Sequence, residues 1–439
     1  MTVQEQHETA TVAPRARLVL FLLVGRVVLR LLLYAAGMIL VFAWGRDEFS
    51  RYAAAAGTAV WLTPLVQAGP EKAALKLLPR ATRTRGDLLG PLRATVALLP
   101  LPFAAATAVM LLYDPHATAT LYIAAASYQV SLGCTLLGTA VHRALGRADR
   151  DVAAYAALSV GLAVMCGLVL LAGPPPVAYF CGLLVLTLTL NLALARLMPV
   201  PEPSPRVRKT RALLAGTVAL MGAPEVTANL ATSLLYVELS LTALGHHSAG
   251  HDTAGHRASG DLYLVLMAWS LAIGAGYFAQ RVFQPATSVR LTGRGAAAGR
   301  SRAHRLARGV LLGSLAWPPL ALAAQFTVLS GLPTLAVLAV LMVSRAPLYM
   351  LMTYASYLLE NSGGRHLRTS AMAGATGLLA VVVAGAVAIP LLGAAGAVYA
   401  LAAKELVLSL VVLARAARRP AGRSASGTGP ARRPSEAGG

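Results

Sequence analysis

LVLFLLVGRVVLRLLLYAAGMILVFAW, residues 18–44, decides the fold. Twenty-five of its 27 residues are uncharged. About 20 residues, each rising about 1.5 Å, cross the hydrocarbon core of a bilayer, so the stretch reads as a membrane-spanning helix. Its two charges, Arg26 and Arg30, are four residues apart and share one helix face. Counted from Arg17 at the membrane edge, they lie roughly 13 and 20 Å deep. Each costs at least about 2.5 kcal/mol near the bilayer centre, so something in the fold must make them tolerable.

The rest of the chain follows the same pattern. Of 439 residues, 57% are hydrophobic and only 13% are charged, with a mean hydropathy of +0.65. A soluble domain carries about twice that charged fraction. The apolar runs are 18 to 30 residues long, rich in Leu, Ala and Val. That excludes a β-barrel, whose strands alternate apolar and polar residues in short segments. The net charge of +21 does not indicate nucleic acid, because the basic residues sit in short loops between apolar runs. Cys134, Cys166 and Cys181 all fall inside apolar runs and form neither a disulfide framework nor a CxxC metal pattern. Residues 1–16 are a polar lead to a span too long for a signal-peptide core, so the first helix is expected to be retained.

Twelve spans are expected, near 18–44, 51–69, 92–113, 118–142, 152–172, 176–197, 212–243, 261–282, 306–329, 332–358, 370–390 and 392–415. The seventh is too long for one straight crossing, and the last two are separated by almost nothing. The loops test this count. Of the 38 Lys and Arg residues, 31 fall on the side of the termini and only three, Arg46, Arg51 and Arg257, on the other. The remaining four, Arg26, Arg30, Arg345 and Lys404, lie within spans. Such asymmetry is the positive-inside signal; it predicts both termini in the cytoplasm and an even number of helices in the cell membrane.

PVPEPSPRVRKTR, 199–211, is Pro-rich and basic, with six spans on each side. It reads as an extended linker between an N-terminal half, 1–198, and a C-terminal half, 212–416. The Arg-, Pro-, Gly- and Ser-rich tail, 417–439, is expected to be disordered. Two six-helix halves around a central site is a common transporter plan. A faint repeat supports it. GRDEFSRYAAAAG leads into the second span and RASGDLYLVLMAW into the eighth, each an acid followed by an aromatic residue. The expectation is an all-α polytopic membrane protein of about 12 transmembrane helices, as two six-helix halves around a central cavity.

Arg26 and Arg30 have two readings. They form a cationic cavity wall for an anionic substrate, to which guanidinium forks are well suited, or they pair with buried carboxylates on neighbouring helices. Arginines outnumber the evident deep acids, which favours the cavity wall. In APEVTANLATSLLYVELS of the seventh span, Glu225, Asn229, Thr232, Tyr236 and Ser240 make one stripe. It reads either as a cavity lining with Glu225 as counter-charge or as polar glue between helices. Glu225 is also a possible partner for Arg26 or Arg30. Pro224 before the stripe predicts a bend; Pro100, Pro102, Pro318 and Pro319 add others. Arg345, beside Pro347, is a third cationic candidate. Gln280 and Arg281 mark a helix end, Lys404 and Glu405 point to different faces, and Glu360 and Asn361 are expected to be solvated. The loop GHHSAGHDTAGHRASGD, 244–260, carries four histidines at irregular spacing, which fits a loop that charges in acid better than a metal site. No GxxxxGK[ST], HExxH or GxSxG is present, so neither a nucleotide-driven motor nor an enzyme is expected, and no cofactor.

Three stretches together resemble the oligosaccharide flippases of the multidrug/oligosaccharidyl-lipid/polysaccharide exporter superfamily. VWLTPLVQAGPEKAALKLLPRA, 60–81, looks like that family's second helix and following loop. RALLAGTVALMGAPEVTANLATSLLYVEL, 211–239, looks like its seventh helix with a mid-helix proline. LLGAAGAVYALAAKELVLSLVVLARAARR, 391–419, looks like its C-terminal helix pair. The resemblance implies alternating access and flipping of an undecaprenyl-pyrophosphate-linked oligosaccharide for cell-surface polysaccharide synthesis. Arg26, Arg30 and Arg345 would hold the pyrophosphate; the partners would be membrane lipids and the pathway's glycosyltransferases and polymerase. The family's Gly-x-Tyr at the start of helices 2 and 8 survives only as SRY at 50–52 and DLY at 261–263. The rivals are cation-coupled drug antiport, as in the MATE branch, which would want embedded acids and aromatics, and a membrane-embedded glycan polymerase or ligase, which would want a structured outer loop.

Overall fold

The computed structural model describes residues 16–78, 85–200, 207–245, 252–291, 294–361 and 364–417. Thirteen helices run through them: α1 Ala16–Ala59, α2 Leu62–Leu77, α3 Arg85–Leu98, α4 Pro100–Tyr113, α5 Thr118–Ala144, α6 Ala148–Ala172, α7 Pro176–Leu197, α8 Val207–Gly245, α9 Asp252–Arg290, α10 Arg294–Phe326, α11 Thr334–Asn361, α12 Gly364–Leu392 and α13 Ala394–Ala417. No strand occurs among the described residues. The linker core 201–206, the His-rich stretch 246–251 and the tail from 418 lie outside them.

Helices and crossings do not correspond one to one, and the exceptions have local causes. α1 contains the first crossing and the first part of the second, which turn at Gly45, whose φ of 72° and ψ of 174° a side-chain-bearing residue rarely adopts. The second crossing is broken after Ala59 and resumes at Leu62, because Pro64 has no N–H to return to the carbonyl of Val60. Pro100 breaks the third crossing into α3 and α4 for the same reason. Among the described residues, nine segments are long and apolar enough to span a membrane by length and hydropathy; one of these, Val24–Leu77, holds two crossings. The more polar α8 and α9 complete the twelve.

The long seventh crossing is α8, one continuous helix of 39 residues with Pro224 inside it. One missing backbone hydrogen bond is tolerated within a bundle, and the extra length extends beyond the hydrocarbon core. Residues 294–305, expected as a loop, are the first turns of α10. The last two crossings are separated only by Gly393, whose left-handed φ of 59° closes α12 and allows α13 to start at once.

Numbered by crossing, the first packs on the fifth, the second on the fourth, and the fourth and third on the sixth. In the second half the seventh packs on the eleventh, the eighth on the tenth, and the tenth and ninth on the twelfth. The chain is therefore two six-helix halves with the same internal pairing. Each has its own apolar core, one around Leu40, Tyr52, Leu162 and Phe180, the other around Leu235, Leu262, Met342 and Val398.

The halves meet along α1–α9 and α2–α8. On the side away from the termini, Trp44, Phe49, Tyr52, Tyr179 and Phe180 of the first half receive Tyr263 of the second. Tyr52 and Tyr263 cross edge to face at 5.8 Å, with hydroxyls 3.4 Å apart. These are the two tyrosines of the weak sequence repeat. Towards the basic side, α2 and α8 touch backbone to backbone. A Cβ on Gly69 would stand 2.3 Å from the Val218 carbonyl oxygen, and one on Gly222 would stand 2.8 Å from the Gly69 nitrogen.

Candidate functional site

Between the halves lies a cavity of about 590 Å³. It reaches towards the basic side at Arg26, Lys72, Gln280 and Glu360, and the aromatic cluster covers it on the other. Five cations line it, Arg26, Arg30, Lys72, Arg345 and Lys404, against three carboxylates, Glu225, Glu360 and Glu405.

Arg26 is less available than its depth suggested. Its guanidinium grips both carboxylate oxygens of Asp151 on α6, at 3.0 and 3.1 Å, and lies 4.4 Å from the centre of the Tyr155 ring. Asp151 is fully buried and also sits 3.8 Å from Arg143, which bonds Glu71 at 2.9 Å; Gln67 donates to the same Glu71. The chain Arg26–Asp151–Arg143–Glu71 is electrically neutral, and a buried charge needs such pairing. The inference that deep arginines outnumber deep acids is corrected here. Asp151 and Asp149 open α6 in its first turn, where a loop was expected, and Asp151 is turned inward.

Arg30 reaches across the seam. It donates to the backbone carbonyl of Ser270 on α9, and its guanidinium occupies the space that a side chain at position 274 would need. Glycine at 274 is what admits it. Across the other seam, Lys72 of α2 bonds Glu360 of α11 at 3.1 Å and the Met221 carbonyl of α8 at 3.0 Å, and lies 4.0 Å from Glu225. This ties the first half to the second at the basic end of the cavity.

The stripe on α8 divides. Glu225, Asn229 and Thr232 line the cavity. Tyr236 does not: it is buried, with its ring packed on Gly57 of α1, and Ser233 beside it donates to the Gly57 carbonyl at 2.9 Å. The cause is geometric. Tyr236 stays on the face of Glu225, about 20° from it, but lies 11 residues, about 16 Å, further along α8, where that face meets Gly57 of α1 instead of the cavity. Glu225 lies 4.0 Å from Lys72.

In the second half Arg345 is buried over two aromatic faces, 5.6 Å from Trp269 and 5.9 Å from Tyr349, with Glu405 at 3.4 Å. Sequence reasoning missed several lining residues. Lys404 and Glu405 both border the cavity, since neighbours 100° apart on a helix can both face a wide opening. Glu360 and Asn361, expected in solvent, are buried at 9% and 6% exposure, Glu360 between Lys72 and Ser370. Gln280 lines the cavity. No group of metal ligands occurs among the described residues, and the stretch 246–251 lies outside them.

No protein-family profile and no curated protein matches the sequence. Solved structures do match the fold. The lipid II flippase MurJ in an inward closed conformation has a TM-score of 0.57 at 11% identity, covering 91% of this chain and 88% of that one. An inward-facing multidrug resistance MATE transporter of the MOP superfamily has 0.54 at 15%, covering 89% and 93%. A MOP superfamily transporter from Pyrococcus furiosus, whose reversed pocket polarity was taken to suggest a different function, has 0.52 at 14%, covering 91% and 93%. The chain shares the fold of these solved structures.

Proposed function

We propose that this protein is a transporter that flips an anionic lipid-linked oligosaccharide, of the undecaprenyl-pyrophosphate type, across the cell membrane by alternating access. The basic loops face the cytoplasm in this reading, following the positive-inside asymmetry, and the cavity therefore faces the side on which such a substrate is assembled. The observation that carries the proposal is that, with Arg26 neutralised by Asp151, four further cations line the cavity against three carboxylates among the described residues, in a bilayer-embedded setting where buried charge is costly and marks a ligand path. Arg30, deep in the first half and set against α9, is the central pyrophosphate ligand. Arg26 acts chiefly through its pair with Asp151. The pathway's glycosyltransferases and polymerase are the partners this substrate implies.

Proteoliposome translocation of a lipid-linked oligosaccharide tests it. The native chain moves the substrate, and Arg30→Gln lowers the rate at least about tenfold while the protein still purifies as a folded monodisperse species. A second reading, cation-coupled drug antiport, draws on the three cavity carboxylates and on the similarity to MATE transporters. It prevails if the native chain leaves the lipid-linked sugar in place but expels a cationic dye along a proton or sodium gradient.

A further inference from the structure

Three groups in the second half stand apart from the paired charges elsewhere in the cavity. Arg345, Lys404 and Glu405 are all more than nine-tenths buried, at 2%, 8% and 3% exposure. They carry two positive charges against one negative. The other cavity carboxylates, Glu225 and Glu360, are held at Lys72. Bonding within the trio is incomplete. Arg345 meets Glu405 through one long contact of 3.4 Å, its other amino group reaches only the Met342 sulfur at 3.9 Å, and its Nε has no partner among the described residues. One oxygen of Glu405 is also left without a donor. The Lys404 ammonium has no carboxylate within 4.0 Å among the described residues, and it borders the cavity.

A buried cluster with a net charge of +1 and unused donors is poorly compensated by the protein alone. It matches a ligand with a single negative charge and planar oxygens. A guanidinium edge and an adjacent ammonium bind a carboxylate in that way. Trp269 and Tyr349 flank Arg345, their rings 5.5 Å apart. A guanidinium already lies over those rings, so they do not offer an open face to a cationic drug.

We infer that Lys404, in the cluster it shares with Arg345, forms a second anion subsite that takes the carboxylate of an acidic sugar, separate from the pyrophosphate ligands of the first half. This rests on the proposed transport of a lipid-linked oligosaccharide and narrows the substrate to a glycan containing a uronic acid or another carboxylated sugar.

The test is binding to the full-length protein in nanodiscs, with a uronic-acid disaccharide, its methyl ester and inorganic pyrophosphate as probes. The acid binds at least tenfold more tightly than the ester to the native chain. Lys404→Gln brings the two to parity, and Lys404→Arg restores the preference, which excludes misfolding as the cause. Equal binding of acid and ester by the native chain overturns the assignment, as does a preference that survives in Lys404→Gln. Competition by pyrophosphate that Lys404→Gln abolishes assigns the subsite to the carrier's phosphates and overturns it too. The two proposals fail separately. A Lys404-dependent acid preference without lipid-linked sugar transport removes the flippase reading and leaves the subsite, whereas Arg30-dependent transport with no acid preference does the reverse.

Discussion

The first half and the second half of the cavity treat buried charge in opposite ways. In the first, Arg26, Asp151, Arg143 and Glu71 alternate in sign and bond at 2.9–3.1 Å or lie within 3.8 Å, with a net charge of zero. In the second, Arg345, Glu405 and Lys404 leave a charge over and hold together through a single 3.4 Å contact. A neutral, well-bonded network fixes helix positions, because removing any member strands its neighbours in low dielectric. A charged, under-bonded one has donors to spare. The folds of the halves match in pairing, so the difference lies in side chains and not in architecture.

Breaking the first network is the harshest way to test this contrast. Asp151→Ala leaves Arg26 and Arg143 facing each other without their shared carboxylate and is expected to cost about 3–5 kcal/mol, the scale for stripping one partner from a buried ion pair. Thermal unfolding in detergent should show a large fall in Tm; a loss below about 1 kcal/mol would mean that the network is not structural. The matching change in the second half is milder. Glu405→Gln removes the charge of one long contact and keeps an acceptor for Arg345, so it should cost about 1 kcal/mol while strengthening anion binding, since the cluster rises to +2. Weaker anion binding in Glu405→Gln would contradict the assignment of spare positive charge there. Gly274→Ala should have the smallest effect on stability. The alanine recovers roughly 0.5–1 kcal/mol of helix propensity and displaces only the flexible end of Arg30, which lies 1.2 Å from the position of the new Cβ. Its signature is a weaker pyrophosphate affinity at an almost unchanged Tm. Unchanged affinity would show that Arg30 need not occupy the α9 groove to bind.

The same contrast explains what could be read in advance. Arg26, Arg30 and Arg345 stood out because a charge within an apolar run has few explanations. Asp151 did not, because it sits two residues from exposed Asp149 in a segment that sequence alone places outside the membrane. Only the packing of α6 on α1 turns it inward. Glu360 was likewise expected in solvent, and Lys72 lies past the end of the expected second span; the seam between the halves brings the two together and buries Glu360. Tyr236 shared a stripe with true lining residues but faces Gly57, since a helical stripe says which residues share a face and not what that face meets.

The sequence by itself determined that the chain is helical and membrane-spanning, and that it crosses twelve times as two six-helix halves. Hydrophobic run length and the sidedness of Lys and Arg are properties of the chain against the bilayer and require no knowledge of contacts. Only the tertiary structure decided which buried charges neutralise one another and which remain for a ligand, because pairing depends on distances of 3 to 4 Å between residues more than a hundred positions apart, such as Arg26 and Asp151 or Lys72 and Glu360.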